Sequence, residues 1–223
     1  MARTVTLLLI LSVFTFLFTT TSAFASPVIV NGSFENPTVG PDEFHYPSVP
    51  GWTHTGAPGD GWLWHDGPVC CGGSDPVAPD GVQFATLGGG YGVSGSAAWY
   101  QDLTGFSAGQ SYTVSFMLAD EFTYVQPVTA SIIGAATTVS QTFDTIGGGA
   151  AFWTAANWST YHFTFVAPST DARLEFSVDN QPYDIGLDAV TIAPVGAPEP
   201  SGLILLSSGL VGFAGLIRRK MLR

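Results

Sequence analysis

Tryptophan and tyrosine residues beside polar side chains are the first candidates for a functional site. Trp62 and Trp64 flank Leu63, so in an extended segment both rings project to the same side. Tyr91 and Trp153 each follow a glycine-rich stretch. An exposed ring stacks on the C–H face of a sugar while Asp, Asn or Gln side chains bind the hydroxyls. These four residues are our candidate glycan contacts; the alternative is that paired aromatics pack within a sheet.

Histidine and carboxylate residues offer weaker evidence for catalysis. The strongest grouping of side chains that can ligate a metal or act as a general base is His54, Asp60, His65 and Asp66. No H-E-x-x-H or G-x-S-x-G motif accompanies them. A glycosidase pair stays open, because any two acidic residues can meet in a folded chain. We therefore predict a protein that is not an enzyme, with a polysaccharide hydrolase as the less favoured alternative.

The chain has two cysteines, the neighbours Cys70 and Cys71. Adjacent cysteines cannot join distant parts of one domain. In an oxidising compartment they can close a strained ring, bond to another chain or stay as thiols. The spaced Cys and His pattern of a zinc site is missing. A loop disulfide is the default prediction, and a redox switch is the alternative.

Charge is distributed very unevenly along the chain. Of six Lys and Arg residues only Arg173 lies between residues 26 and 197, whereas that stretch holds 16 of the 17 Asp and Glu residues. One positive against sixteen negative side chains gives the stretch a formal charge of −15. Nucleic acid is excluded as a partner, because phosphate binding needs clustered cations. Such acidity suits solubility outside the cell or divalent-cation binding.

Residues 26–197 show the two-residue periodicity of β-strands and almost no helical periodicity. Tyr112, Val114, Phe116 and Leu118, for example, share one face of a strand. The predicted strands are 28–34, 82–87, 98–103, 110–118, 128–133, 159–166, 187–192 and one that contains Leu174, Phe176 and Val178. Glycine, proline, asparagine and aspartate separate them. The pattern predicts one all-β sandwich or barrel.

Several sequence blocks, in order, resemble the galactose-binding-like jelly rolls. They are V-N-G-S-F-E at 30–35, P-G-W at 50–52, P-D-G-V-Q-F-A at 79–85, G-Q-S-Y-T-V-S-F at 109–116, residues 158–165 and G-L-D-A-V at 186–190. Carbohydrate-binding modules and many exported bacterial proteins share this fold. The resemblance implies a jelly-roll β-sandwich over residues 26–193. It also implies that Trp52 and Trp158 are core residues.

The same resemblance implies a structural calcium ion near the first and last strands. The matching carboxylates are Glu35, after N-G-S-F, and Asp188, in G-L-D-A-V. Calcium takes six to eight oxygen ligands, so backbone carbonyls and other side chains would complete the shell. The family often has a second aspartate where this chain has Ala189. The alternative is that both carboxylates are simply solvated.

The N-terminus has the pattern of a secretory signal peptide. Arg3 precedes an apolar run over residues 5–18, and the small residues that follow end in A-F-A at 23–25. We predict cleavage after Ala25, so that residues 1–25 are removed. The alternative, an N-terminal membrane anchor, is disfavoured because the run is shorter than the ~20 residues that span a bilayer.

The C-terminus has three parts in a fixed order. A linker over 194–200 contains Pro198, Glu199 and Pro200; an apolar helix is predicted over 201–217, and 218–223 is a basic cytoplasmic tail. This order resembles the PEP-CTERM sorting signal, which an exosortase cleaves in bacteria that make exopolysaccharide. The resemblance implies transient attachment to the inner membrane. A plain single-pass anchor is the alternative.

These observations predict an exported bacterial protein that ends at the cell surface or in the extracellular matrix. The favoured function is non-catalytic binding of carbohydrate, with exopolysaccharide as the expected partner and a structural calcium ion as the expected cofactor. The first alternative is a structural matrix or adhesion protein that does not bind glycan. A polysaccharide hydrolase is the second.

Overall fold

The computed structural model describes residues 26–40, 48–56, 61–66, 77–89, 94–121, 124–146 and 158–196. The strands in these ranges are β1 Thr53–Gly56, β2 Leu63–His65, β3 Gln83–Leu87, β4 Gly95–Thr104, β5 Ser111–Asp120, β6 Pro127–Ile133, β7 Thr138–Asp144, β8 Ser159–Val166, β9 Asp171–Gln181 and β10 Ile185–Pro194. No helix long and apolar enough to cross a membrane occurs in these ranges. The proposed signal peptide and C-terminal helix lie outside them.

The strands form two five-stranded antiparallel sheets. The first sheet has the order β1-β4-β9-β6-β7, and the second has the order β2-β3-β10-β5-β8. Each sheet combines strands from distant parts of the chain, as expected when a β-sandwich is built by crossing from one sheet to the other. The predicted all-β sandwich is therefore confirmed.

Inward-facing residues of both sheets form the main core. Tyr112, Val114, Phe116 and Leu118 of β5 are at most 1% exposed, as their alternation predicted. Leu174 and Phe176 of β9 meet them from the other sheet. Burial of each large apolar side chain stabilises the fold by roughly 1.5–3 kcal/mol. Seven predicted strands from 82–87 onward match observed strands, whereas β1, β2 and β7 are short or polar and were not predicted.

The prediction of a strand over 28–34 is wrong. Asn31 and Phe34 have positive φ values of 54° and 55°, which lie outside the extended conformation of a regular strand. The Phe34 N–H donates to the Asn31 carbonyl and closes a turn. Upstream, the Val30 N–H and C=O bond to the side chain of Gln101 at 2.8 and 2.9 Å. The buried side chain of Gln101 therefore makes the hydrogen bonds to Val30 that the backbone of a neighbouring strand would otherwise make.

The two ends of the described domain lie at the same end of the sandwich. Pro27 lies near Gly105, in the turn between β4 and β5. Val195 bonds to Ser111 and Gln110 at the other side of that turn. The opposite end, about 30 Å away along a ten-residue strand, is formed by the end of β5 and the start of β10.

Candidate functional site

A row of polar side chains crosses the first sheet on its solvent side. The strand registers place Thr53 opposite Tyr100, Tyr100 opposite Glu175, Glu175 opposite Ser131, and Ser131 opposite Ser140. Directly opposed residues lie on the same face of a sheet. Their chain neighbours Trp99 and Phe176 belong to the core, so this row faces outward. We call this solvent side of the first sheet the polar face.

Arg173 and Tyr100 form the most ordered part of the polar face. The guanidinium carbon of Arg173 lies 3.7 Å from the centre of the Tyr100 ring. Arg173 Nε donates to Asp102 Oδ1 at 2.8 Å, and Nη2 donates to Oδ2 at 3.3 Å. This hydrogen bond raises the pKa of Arg173 above its ordinary value. The Asp102 carboxylate therefore holds the guanidinium flat against the ring.

This arrangement combines a planar stacking surface with hydrogen-bonding groups. The Arg173–Asp102 pair is exposed, and such a pair contributes only about 0–1 kcal/mol to stability. The guanidinium covers one face of the Tyr100 ring, so a ligand would stack on the opposite face. Glu175 and the exposed hydroxyls of Thr53 and Ser140 supply acceptors and donors at the same level, whereas Ser131 is buried beside Ser140. These are the groups that bind the ring and hydroxyls of a sugar.

The two predicted calcium ligands lie in one carboxylate pocket, which Asp80 joins. Asp188 is fully buried; its Oδ2 accepts a hydrogen bond from Asp80 N at 3.1 Å and its Oδ1 accepts one from Ala189 N at 2.7 Å. Glu35 Oε1 accepts hydrogen bonds from the N–H groups of Val82 and Gln83, both at 2.8 Å. The segment around residue 80 thus connects the predicted ligands.

Backbone conformation at this pocket is unusual for non-glycine residues. Ala189 has a φ of 53° and sits at the irregularity of β10 between Asp188 and Thr191. The Val190 N–H donates to the Gly32 carbonyl at 2.9 Å, which joins the irregularity to the N-G-S-F turn. Such left-handed conformations cost of order 1–3 kcal/mol and often occur where a ligand is held.

The chemistry of the pocket fits a hard cation. Burial raises the pKa of Asp188 to about 8, and the nearby negative charges of Asp80 and Glu35 add to the effect. Oxygen ligands and uncompensated negative charge are what calcium requires. Carboxylates alone do not complete a site, since the described residues contain no group of three His, Cys, Asp or Glu side chains arranged around a metal position. Backbone carbonyls and water would have to supply the remaining oxygens.

The predicted tryptophan pair lies at the edge of the second sheet. Trp62 is half-buried, but Trp64 is only 7% exposed. Trp64 packs with Phe84 and Trp158 in a small apolar cluster that is separate from the main core. Its ring is therefore a packing surface, which corrects our expectation that both rings are available to a glycan. The reason is that the segment around residue 78 covers this part of the sheet.

Trp52 and Trp158 are buried, as the family resemblance implied. Trp52 is 6% exposed and stacks on Phe34, with ring centroids 5.1 Å apart. Trp158 is 9% exposed, lies edge-on to Phe84, and donates from Nε1 to the carbonyl of Val77 at 2.6 Å. Both indoles therefore stabilise the fold rather than offer a binding surface.

The histidine grouping does not form a site among the described residues. His54 lies in β1 with its ring 4.8 Å from that of Trp99, whereas His65 lies in β2 of the other sheet. Asp66 Oδ1 accepts a hydrogen bond from Ala78 N at 2.5 Å and so positions a loop. The remaining predicted residues lie outside the described ranges, namely Asp60, Cys70, Cys71, Tyr91, Trp153, Pro198, Glu199 and Pro200.

A second group of buried carboxylates lies at the end of the sandwich opposite the termini. Asp120, Glu121 and Asp184 are at most 3% exposed. Glu121 Oε2 accepts a hydrogen bond from Asp184 N at 3.1 Å, and Thr145 Oγ1 donates to Asp120. Burial raises the pKa of Asp120 to about 6 and that of Glu121 to about 7. Above this group the rings of Tyr124 and Tyr183 stack 4.9 Å apart.

Our sequence analysis did not identify Tyr100 or Asp102 as functional residues. The sequence contains one relevant signal, because Arg173 is the sole cation of residues 26–197. An acidic or aromatic residue on a neighbouring strand is therefore expected to contact it. Which residues oppose it depends on strand order, however, and β4 pairs with β9 across about 70 residues. The sequence alone does not reveal that pairing.

Comparisons with known proteins place the fold. No family model matches the sequence, and no curated protein matches it. The structure is similar to TmCBM61, solved in complex with β-1,4-galactotriose, with a TM-score of 0.52, 17% identity, and coverage of 76% of this chain and 99% of that one. It also matches a structure described as CBM4 with a TM-score of 0.41, 17% identity, and coverage of 74% and 99%. The chain therefore shares the two-sheet β-sandwich fold of TmCBM61.

Proposed function

We propose that this protein binds carbohydrate without cleaving it, and that the polar face is the binding surface. The observation that carries the proposal is the Tyr100–Arg173 stack, which Asp102 fixes beside a row of hydroxyl and carboxylate side chains. The fold is compatible with this function. Likeness of fold does not establish it, because one fold hosts many functions.

Trp62 remains a second candidate contact. Its ring is half-buried at the edge of the second sheet, on a different surface from Tyr100. The two surfaces can be tested separately. Tyr91 and Trp153 also remain candidate contacts from the sequence.

Export and sorting form the second part of the proposal. The signal peptide directs residues 26 onward across the membrane, and an exosortase cleaves near Pro198, Glu199 and Pro200. The protein is then released from the inner membrane to the cell surface or matrix. Because the domain ends near the turn between β4 and β5, a tail that is still anchored would hold this end toward the membrane.

Calcium is proposed as a structural cofactor held by Glu35 and Asp188. The ion would favour the ionised form of Asp188, which burial otherwise disfavours. The Asp80 N–H bonds to Asp188 and so holds the neighbouring segment against the pocket, while backbone carbonyls and water would supply the remaining oxygens. The ion would stabilise the loops around the pocket and would take no part in glycan binding.

The central experiment measures glycan binding by the full-length protein and by its Tyr100→Ala variant. A glycan array and pull-down with insoluble polysaccharide should detect binding by the parent, and removal of the ring should weaken binding about tenfold, which corresponds to roughly 1.4 kcal/mol. Thr164→Ala, on the outer face of the second sheet, is the matched control.

Two results would favour the rival functions. If the parent retains no glycan, a structural matrix or adhesion role becomes the better explanation. Release of reducing ends from bound polymer would instead identify a hydrolase. Neither result would alter the fold assignment, which rests on strand pairing.

A further inference from the structure

We propose that one end of the sandwich lies against the surface of a phospholipid bilayer while the C-terminal segment of the chain is still anchored. This end, which we call the terminal end, consists of the turns β4–β5, β6–β7 and β8–β9 together with residues 26–30 and 193–196. The inference rests on the proposed anchoring of residues 201–217 and names the surface that the anchored domain presents to the lipid. Connectivity, charge, exposed apolar side chains and the length of the linker all favour it.

The three turns of the terminal end are joined into one surface. Backbone hydrogen bonds of 2.9–3.1 Å connect the β4–β5 turn to the β8–β9 turn, from Phe106 N to Thr170 O, from Gly109 N to Ala167 O and from Ala167 N to Gln110 O. The β6–β7 turn packs on the β8–β9 turn, because a Cβ atom added at Gly134 would come within 2.8 Å of the Pro168 ring. The terminal end can therefore meet a flat partner as a unit.

The terminal end carries little of the charge of the domain. It comprises residues 26–30, 104–111, 133–138, 166–171 and 193–196, and Asp171 is the one charged side chain in these ranges. The formal charge of residues 26–197 as a whole is −15. Acidic residues described at the opposite end include Asp120, Glu121, Asp144 and Asp184. Cleavage after residue 25 would also bring the positive charge of a new amino group to the terminal end, where it would offset Asp171.

Exposed apolar side chains project from the terminal end. Val28, Val166 and Val195 are 70%, 53% and 45% exposed. Val166 lies opposite Ser111, and the Val195 N–H donates to the Ser111 carbonyl, so these two valines flank one residue. Residues 135–136 in the β6–β7 turn are exposed alanines. Such side chains can enter the headgroup region of a bilayer without carrying charge into it.

The linker keeps the terminal end close to the bilayer. The described domain ends at Gly196, and the predicted membrane helix begins at Ser201. Five extended residues cover at most about 18 Å. The Debye length is about 10 Å at ~0.1 M salt, so the charges of an anionic bilayer still act over part of this distance. An acidic domain held there is repelled least when its nearly uncharged end faces the lipid.

This orientation has a consequence for the polar face. The strands of both sheets run from the terminal end to the opposite end, so they would point away from the bilayer. The polar face would then stand on the side of the anchored domain, where a glycan outside the membrane can reach it before the tail is cleaved.

The contact can be tested with the full chain, produced with its signal peptide in a host that lacks exosortase and reconstituted into nanodiscs. The discs would contain an equimolar mixture of phosphatidylethanolamine and phosphatidylglycerol. A photoreactive amino acid would replace Ala135, in the β6–β7 turn, or Ile146, which is exposed at the opposite end. Mass spectrometry should find about tenfold more phospholipid adducts at position 135, because position 146 would lie roughly 20–30 Å farther from the lipid.

The role of charge can be tested by adding acids to either end. Ala108→Glu combined with Thr170→Glu should lower the yield of lipid adducts at position 135 about threefold in the anionic discs, and less in discs of phosphatidylcholine. Val125→Glu combined with Ile146→Glu adds the same charge at the opposite end and should leave that yield unchanged. Melting temperatures would show that both variants fold.

The possible failures are distinguishable. Equal yields of lipid adducts at positions 135 and 146, in protein that stays in the disc, would overturn the inference and leave the proposed anchoring intact. Adducts at position 135 to a second copy of the chain in place of lipid would also overturn it. A full chain that does not stay in the disc would overturn the proposed anchoring and the inference together, whereas glycan binding is measured independently of both.

Discussion

Replacement of Glu121 by glutamine should stabilise the domain at neutral pH and leave it unchanged in acid. Glu121 is 3% exposed, and burial raises the pKa of its carboxyl from 4.5 to about 7. The Asp184 N–H donates to it at 3.1 Å, and the other ionisable groups around it are acids or tyrosines, Asp120, Asp184 and Tyr183. Arg173 lies on the polar face and pairs with Asp102. Glutamine keeps an acceptor for Asp184 and cannot ionise.

The direction follows from the two pKa values. Below pH 4.5 the carboxyl is protonated in both the folded and the unfolded state, so its pKa shift contributes nothing. Between pH 4.5 and 7 the unfolded chain loses the proton first, so the folded state becomes progressively less stable. Above pH 7 the loss of stability is complete. A rise in the pKa of Glu121 from 4.5 to about 7 corresponds to roughly 3 kcal/mol in the free energy of unfolding.

Denaturant unfolding at a series of pH values between 4 and 8 would measure the effect. Glu121→Gln should match the parent near pH 4 and exceed it by roughly 3 kcal/mol at pH 8, about 6–12 °C in melting temperature for a domain of this size. Glu175→Gln makes the same chemical change on the solvent-facing side and should stay within about 0.5 kcal/mol throughout. A Glu121→Gln protein that is less stable than the parent at pH 8, or equally shifted at both pH values, would refute the reasoning.

Three further predictions concern calcium, packing and processing. Calcium should raise the melting temperature of the parent, by about 2.7 kcal/mol of stability at a hundredfold excess over Kd, and Asp188→Asn should abolish the gain in calorimetry with and without chelator. Trp158→Ala should destabilise the domain by about 3–5 kcal/mol, whereas Trp62→Ala should cost much less, and equal losses in denaturant titrations would place both rings in the core. The intact mass of protein from the native host should lack residues 218–223; a mass that includes them would leave only the membrane-anchor alternative.

The interior of this fold was predictable because its periodicity is local. Tyr112, Val114, Phe116 and Leu118 alternate with polar residues, and that alternation alone places them on the buried face. The segment 28–34 shows where such reasoning fails. Its apolar residues suggest a strand, but Val28 is 70% exposed, and the chain turns at Asn31 and Phe34. Distant partners such as Gln101 decide its conformation, and a single sequence does not reveal them.

The candidate ligand-binding surface depends on relations that local pattern does not contain. Glu35 and Asp188 could be paired in advance because each matches a block of a known fold, and the structure connects both through the segment at Asp80. Tyr100 and Arg173 matched no such block. They meet because β4 and β9 are neighbours in one particular register, and a shift of one residue would send Tyr100 into the core. Trp64 is the opposite case. Its residue type suits sugar binding, but its ring is buried in a cluster with Ala78 and Trp158, which lie far from it in the sequence.

The two groups of buried carboxylates both pay a free-energy penalty for burying an ionisable group, but their surroundings differ. Asp188 and Glu121 both carry a raised pKa because burial disfavours their charge. The Asp188 pocket also contains Asp80, Glu35 and a left-handed alanine, an arrangement that a cation would stabilise. Glu121 instead bonds to the backbone of Asp184, which joins the end of β5 to the start of β10 without an ion. Calcium should therefore offset the penalty of burying Asp188 and leave that of burying Glu121 unchanged. The gain in stability from Glu121→Gln at pH 8 should then persist when calcium is saturating.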